Sequence, residues 1–249
     1  MKYYKVIACK IFQRELSQVA VTCPNALDIT FMRQDLHMAP NRLREALQRE
    51  IDLIESGSDL HTNEERFGKL EAILLGYGLC SNALVGIKSS RLPIVIPRAH
   101  DCITMFMGSK ERYADYFEKV KGTFFYTQGW LELGADDLDA DLERRRNEYM
   151  EKFDGDEDTV EYLLEMDEEM LRHYHYLTYI TWPGMNNEAG IALAQESAAR
   201  KKLELLTYEG TNSLMADMVN GRWNEEDFLI LQPGQTLQPS YDKSILKGV

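Results

Sequence analysis

The chain has 249 residues, 44% hydrophobic and 28% charged, with a net charge of −13. This is globular composition, which argues against a disordered, collagen-like or disulfide-stapled chain, and the negative charge argues against a general nucleic-acid or anionic-membrane binder. No uncharged apolar run approaches the roughly 20 residues a membrane span needs, and the N-terminus lacks the apolar centre of a secretory signal, so a cytoplasmic protein is expected.

Taken in order, Tyr3 to Cys9 reads as a buried strand, and a helix begins at Lys10. Leu27 to Phe31 is a second strand. Asn41 to Ser56 carries Leu43, Leu47, Ile51 and Ile54 at helical spacing, with Pro40 suited to the helix start. Glu71 to Leu75, Pro93 to Pro97 and Gly122 to Thr127 read as strands three to five. This alternation predicts an α/β fold, a mostly parallel Rossmann-like sheet with helices on both faces.

After Trp130 the pattern changes. Glu132 to Arg172 holds 17 acids and 5 bases, which leaves the rest of the chain nearly neutral. The segment reads as an acidic helical insertion broken near Gly155. It lacks the EF-hand spacing, so a solvated face accounts for its charge better than a calcium loop. Gly190 to Lys202 is a further helix, Leu203 to Tyr208 a strand, Leu214 to Val219 a helix, and Asp227 to Leu231 the last strand. The expected division is 1–131 as the core, 132–175 as the insertion, and 176–249 as a part completing or flanking the core.

In an open parallel sheet ligands bind beyond the carboxyl ends of the strands. Cys9 closes the first strand, His37 follows the second, Cys80 the third, and His100, Asp101 and Cys102 the fourth. Three of the four cysteines and two of the five histidines thus fall on one rim. If those strands are neighbours, thiols and imidazoles converge in a set that suits zinc, with iron or an iron–sulfur cluster as alternatives. The competing reading is that these cysteines only pack, as buried free cysteines often do. Thiol redox chemistry between Cys80 and Cys102 is a smaller possibility.

Gly76-Tyr77-Gly78, with Ser81 and Asn82, turns the third strand toward a helix and allows backbone amides to approach a substrate. A tight strand-to-helix turn is the plainer account of the same residues. Arg98 can clamp a carboxylate or phosphate, and Asp101 can orient an imidazole or move a proton. Trp130, after the fifth strand, is a further substrate-binding candidate.

Tyr77-Gly78-Leu79-Cys80-Ser81-Asn82, Pro97-Arg98-Ala99-His100-Asp101-Cys102-Ile103-Thr104 and Gly108-Ser109, with Ala8-Cys9, Leu36-His37, Gly129-Trp130 and Pro233-Gly234, resemble the signature of a prokaryotic family of unknown function. The resemblance covers nearly the whole chain. It implies a setting near corrinoid-dependent methyltransferase systems, an association rather than a mechanism. Lys10 stands where the family pattern leads one to expect glycine, and the acidic stretch is long.

The expected function is therefore a zinc protein, an enzyme of methyl-group or one-carbon metabolism acting on a small molecule. Its site would use Cys9, His37, Cys80, His100 and Cys102. The alternative is a non-catalytic accessory protein, corrinoid- or iron–sulfur-related, that docks a methyltransferase-system partner through its acidic helices.

Overall fold

The computed structural model describes residues 1–34, 36, 39–80, 82–133 and 138–249, with the backbone alone for 138–141, 170 and 171. His37, Ser81 and the first acids of the insertion lie outside the described residues.

In chain order the elements are β1 (Tyr3–Cys9), a short 3-10 turn, α1 (Gln13–Val21), β2 (Ala26–Met32), α2 (Pro40–Glu55), α3 (Glu64–Phe67), β3 (Ala72–Gly76), β4 (Ile94–Pro97), α4 (Cys102–Met107) and α5 (Lys110–Lys119). Then come β5 (Thr123–Tyr126), α6 (Gln128–Glu132), α7 (Leu138–Lys152), α8 (Glu157–Leu171), β6 (Tyr176–Thr181), α9 (Asn187–Lys201), β7 (Glu204–Glu209), α10 (Ser213–Asn220) and strands β8 (Phe228–Leu231), β9 (Leu237–Pro239) and β10 (Leu246–Gly248). The fold is α/β. The chain divides into two units, 1–114 with 210–249, and 115–209.

The first unit is built on a five-stranded sheet of order β2-β1-β3-β4-β8. The first four strands are parallel and β8 runs antiparallel beside β4. Every residue of β1, β3 and β4 is buried, as expected of strands covered on both faces. Each large apolar side chain there contributes roughly 1.5–3 kcal/mol by leaving water. Helix α2 buries the predicted stripe of Leu43, Leu47, Ile51 and Ile54 and starts on Pro40. A charged side chain is buried within the otherwise apolar or aromatic β1. Lys5, fully buried at the centre of β1, pairs at 2.8 Å with Asp59, itself 5% exposed. Nearby, Tyr3 donates to Asp28 and accepts from the Asn63 amide.

The order of strands places a reversal between β1 and β3, since the chain first adds β2 on one side of β1 and then β3 on the other. Crevices outside the carboxyl ends at such reversals are where open α/β sheets bind ligands.

The second unit has its own parallel sheet, β5-β6-β7. This corrects the expectation that Gly122 to Thr127 continues the first sheet: β5 pairs with β6 instead. Hydrophobic period identifies a strand but not its neighbour, and the pairing is fixed by a separate core of Tyr126, Leu177, Tyr179, Ala194 and Ala198. Gly190 has no room for a side chain, because a Cβ would fall 1.9 Å from the Tyr179 hydroxyl. Helices α7 and α8 form an acidic pair tied by Tyr149 and Arg145, both bonded to Asp167.

Candidate thiol site

Three loops, following β1, β3 and β4, form the rim of the first sheet. The close packing that brings them together depends on two glycines. A Cβ on Gly76 would meet the Ala8 Cβ at 2.7 Å, so glycine is what lets β3 lie this close to the end of β1. A Cβ on Gly78 would stand 2.7 Å from Asp101 backbone atoms. The loop after β3 is thereby laid against the loop after β4. Two backbone hydrogen bonds fasten it, Leu79 N–H to the Ala99 carbonyl at 2.8 Å and Cys80 N–H to the His100 carbonyl at 3.1 Å. Both glycines are accounted for by this contact between chain segments.

Cys9, Cys80 and Cys102 sit at this junction, each within electrostatic reach of the other two. Burial raises the pKa of all three thiols. It lifts Cys80 to about 12, helped by Cys9 and Asp101. Cys102 lies well above its usual range for the same reason, with Asp101, Cys80 and Cys9 adding to it. Cys9 is raised by burial alone. Nearby backbone amides oppose that trend only weakly: Ile11 at Cys9, Gly78 at Cys80 and the residue's own at Cys102. The fourth cysteine, Cys23, lies elsewhere and donates to the Val219 carbonyl at 3.3 Å.

Tyr77 joins this group. It is 2% exposed, its hydroxyl has no hydrogen-bond partner, and it lies within electrostatic reach of Cys9 and Cys80. Burial raises its pKa strongly, so the phenol remains protonated. Cys80 and Asn82 both adopt left-handed backbone, with φ of 46° and 66°. Asparagine adopts that conformation readily, whereas it costs Cys80 roughly 1–2 kcal/mol, and such strain clusters at functional sites. The Asn82 carbonyl accepts from Arg44 at 3.2 Å.

The other expected site residues have different surroundings. His100 is exposed, and its contribution to the rim is the carbonyl that holds Cys80. Asp101 caps α4, accepting from the amides of Ile103 at 3.0 Å and Thr104 at 3.4 Å, while its second oxygen accepts from Tyr113 at 3.0 Å. Tyr113 was not legible in sequence as a partner of this loop. Arg98 directs its guanidinium to backbone carbonyls of Glu225, Ser244 and Leu246, at 2.8, 2.7 and 2.5 Å, and so clamps the C-terminal strand. Trp130 belongs to α6 of the second unit, where its ring packs against Tyr126. Among the described residues no three His, Cys, Asp or Glu side chains are gathered closely enough to hold a metal ion as they stand.

The class defined by this arrangement is an α/β protein with three cysteines on the rim of a mostly parallel sheet. Residues 31–219, about three quarters of the chain, match the model of a family described as "Protein of unknown function (DUF1638)", and the chain belongs to that family. The matched stretch contains Tyr77, Cys80, Asp101 and Cys102, while Cys9 precedes it. No curated protein and no solved structure matches the chain. No helix among the described residues is long and apolar enough to cross a membrane.

Proposed function

We propose that Cys9, Cys80 and Cys102 bind a soft metal ion as thiolates, with zinc as the first expectation and iron or an iron–sulfur cluster as the alternative. One observation carries this reading: three cysteines, Cys9 buried and Cys80 and Cys102 partly exposed, stand just beyond the ends of adjacent parallel strands within electrostatic reach of one another. Burial opposes the thiolate, and a bound cation reverses that balance, because a coordinating thiol is deprotonated outright. His37, outside the described residues, stays a candidate for a fourth ligand.

The Rossmann-like reading of the sheet supports this placement, because doubly wound sheets take their ligands where the strand order reverses. With three protein ligands and an open position, zinc supplies Lewis-acid activation of a bound heteroatom. The protein would then be a cytoplasmic enzyme acting on a small molecule. Methyl-group or one-carbon metabolism is the setting the family resemblance supplies. A second reading rests on α7 and α8, which pair and expose Leu142, Tyr162 and Met166 beside their acids. In it, the protein is an accessory factor that docks a methyltransferase-system partner through this pair.

The test is anaerobic purification followed by elemental mass spectrometry and a visible spectrum. About one zinc per chain without colour is the expected result. Sulfide-to-iron bands would favour the cluster, and a protein with no metal even after reconstitution would sink the thiolate reading and bring the docking role forward.

A further inference from the structure

The two edges of the first sheet differ. Beside β8 the C-terminal strands fold over closely, so that a Cβ on Gly248 of β10 would lie 2.9 Å from the Leu231 side chain. At the other edge, among the described residues, β2 has β1 as its one strand neighbour. All of β2 is half-buried, unlike β1, β3 and β4. One bond orients its backbone. The Ala26 amide donates to the Lys2 carbonyl at 2.8 Å, so Ala26 faces β1, and alternate residues of a parallel strand face the same neighbour. Asp28, Thr30 and Met32 therefore also face β1, and the amides and carbonyls of Leu27, Ile29 and Phe31 point outward. Among the described residues no backbone hydrogen bond reaches those outward groups. Edge strands are usually blunted by lysine, proline, a bulge or an inward-pointing charge. The run Ala26–Met32 holds no lysine or proline, its register is unbroken, and its one charge, Asp28, is engaged by the Tyr3 hydroxyl.

We infer that β2 pairs with β2 of a second copy of this chain, antiparallel about a two-fold axis at Ile29, so that the two five-stranded sheets join into one. The outward groups set this register. Ile29 meets its own counterpart, and Leu27 meets Phe31 on either side of the axis, which forms about six backbone hydrogen bonds. The side chains of these three residues share one face of the sheet, so every cross-strand pair among them is apolar. On the other face Asp28 stands opposite Thr30, and no like charges meet. Charge also favours a second copy over a highly charged partner. Residues 1–114 with 210–249 carry 18 Lys and Arg against 18 Asp and Glu, so this unit meets itself without net repulsion and offers a charged partner no net attraction. The pairing is independent of the thiolate reading.

The experiment measures the mass of the full-length protein by light scattering after size exclusion, for the wild type, Ile29→Pro and Ile29→Lys. Proline removes the outward N–H and no bond to β1, a change edge strands tolerate. Lysine sets two ammonium groups face to face at the axis. The expected result is twice the chain mass for the wild type and the single chain mass for both variants, with circular dichroism unchanged. Hydrogen exchange gives a readout that needs no variant: on dilution of the wild type, the peptide covering residues 26–32 should lose protection at about three amides. A wild type that is monomeric at every concentration overturns the inference. A dimer that survives both substitutions also overturns it, because the contact then lies elsewhere. If neither variant folds, the exchange result decides, and protection of 26–32 that does not change on dilution overturns the pairing.

Discussion

The Cys80 amide donates to the His100 carbonyl at 3.1 Å, while His100 itself is exposed. Histidine 100 thus serves the rim through its backbone, two residues from a cysteine that serves it through its side chain. His100→Ala should therefore retain the metal content of the wild type, while Cys80→Ser and Cys102→Ser should each lose most of it with the fold intact. Elemental analysis of the three variants, with circular dichroism as the control, decides this. Full occupancy in both serine variants would falsify the thiolate assignment.

The raised thiol pKa values predict a pH-dependent reactivity. Burial holds Cys80 protonated until pH approaches about 12, whereas a cysteine in an unfolded chain ionises near roughly 8.5. Only the thiolate attacks an alkylating agent. At pH 8.5, metal-free folded protein should alkylate at Cys80 and Cys102 at least about tenfold more slowly than the denatured chain. The rates should climb as pH rises. Peptide mass spectrometry after a timed iodoacetamide pulse gives the site-by-site rates, and equal labelling of folded and unfolded protein would contradict the buried, protonated state.

Lys5 and Asp59 give a prediction about stability. Both are buried and 2.8 Å apart. Removing one partner strands a charge in the interior, so Lys5→Met should cost about 3–5 kcal/mol. Replacing both, Lys5→Met with Asp59→Leu, should recover most of that loss, because an apolar pair carries no desolvation penalty. Urea unfolding of the single and double variants measures the difference, and additive losses would show that the pair is not the reason for the first effect.

Glu55 closes α2 by accepting from the Ser90, Arg91 and Leu92 amides and the Ser89 and Ser90 hydroxyls. Burial by itself would raise its carboxyl, but the bonds from Ser89, Ser90 and Arg91 outweigh this and hold it at about 2, below the ordinary 4.5. The folded state therefore favours the carboxylate. Its contribution is present above pH 4.5 and is lost as pH falls toward 2. Glu55→Gln should cost about 2 kcal/mol at neutral pH and should flatten the acid limb of the stability curve. Thermal melts from pH 7 down to 3 test both, and a variant with the wild-type acid limb would refute the linkage.

Much of the fold was legible because burial writes itself into local sequence. The span Tyr3–Cys9 matches the observed strand, and the stripe Leu43, Leu47, Ile51 and Ile54 marks the buried face of α2. Both follow from backbone periods of two and 3.6 residues that hold wherever the element is placed. The carboxyl-end position of Cys9, Cys80 and Cys102 follows from the same alternation of elements.

What the sequence left open is which elements meet. Nothing local states that β1 lies between β2 and β3, or that β5 leaves the first sheet to pair with β6. Those pairings depend on how separate apolar surfaces are jointly buried, a property of the whole chain. The fate of individual polar groups was likewise decided in three dimensions. Arg98 is drawn to three carbonyls of the C-terminal part, and Asp101 is held by the start of α4 and by Tyr113. Residue types along the chain determined that thiols would stand at strand ends. Only the packing of Gly76 on Ala8 and of Gly78 on Asp101 brought three of them and the Tyr77 hydroxyl together, because backbones approach that closely only where no Cβ stands between them.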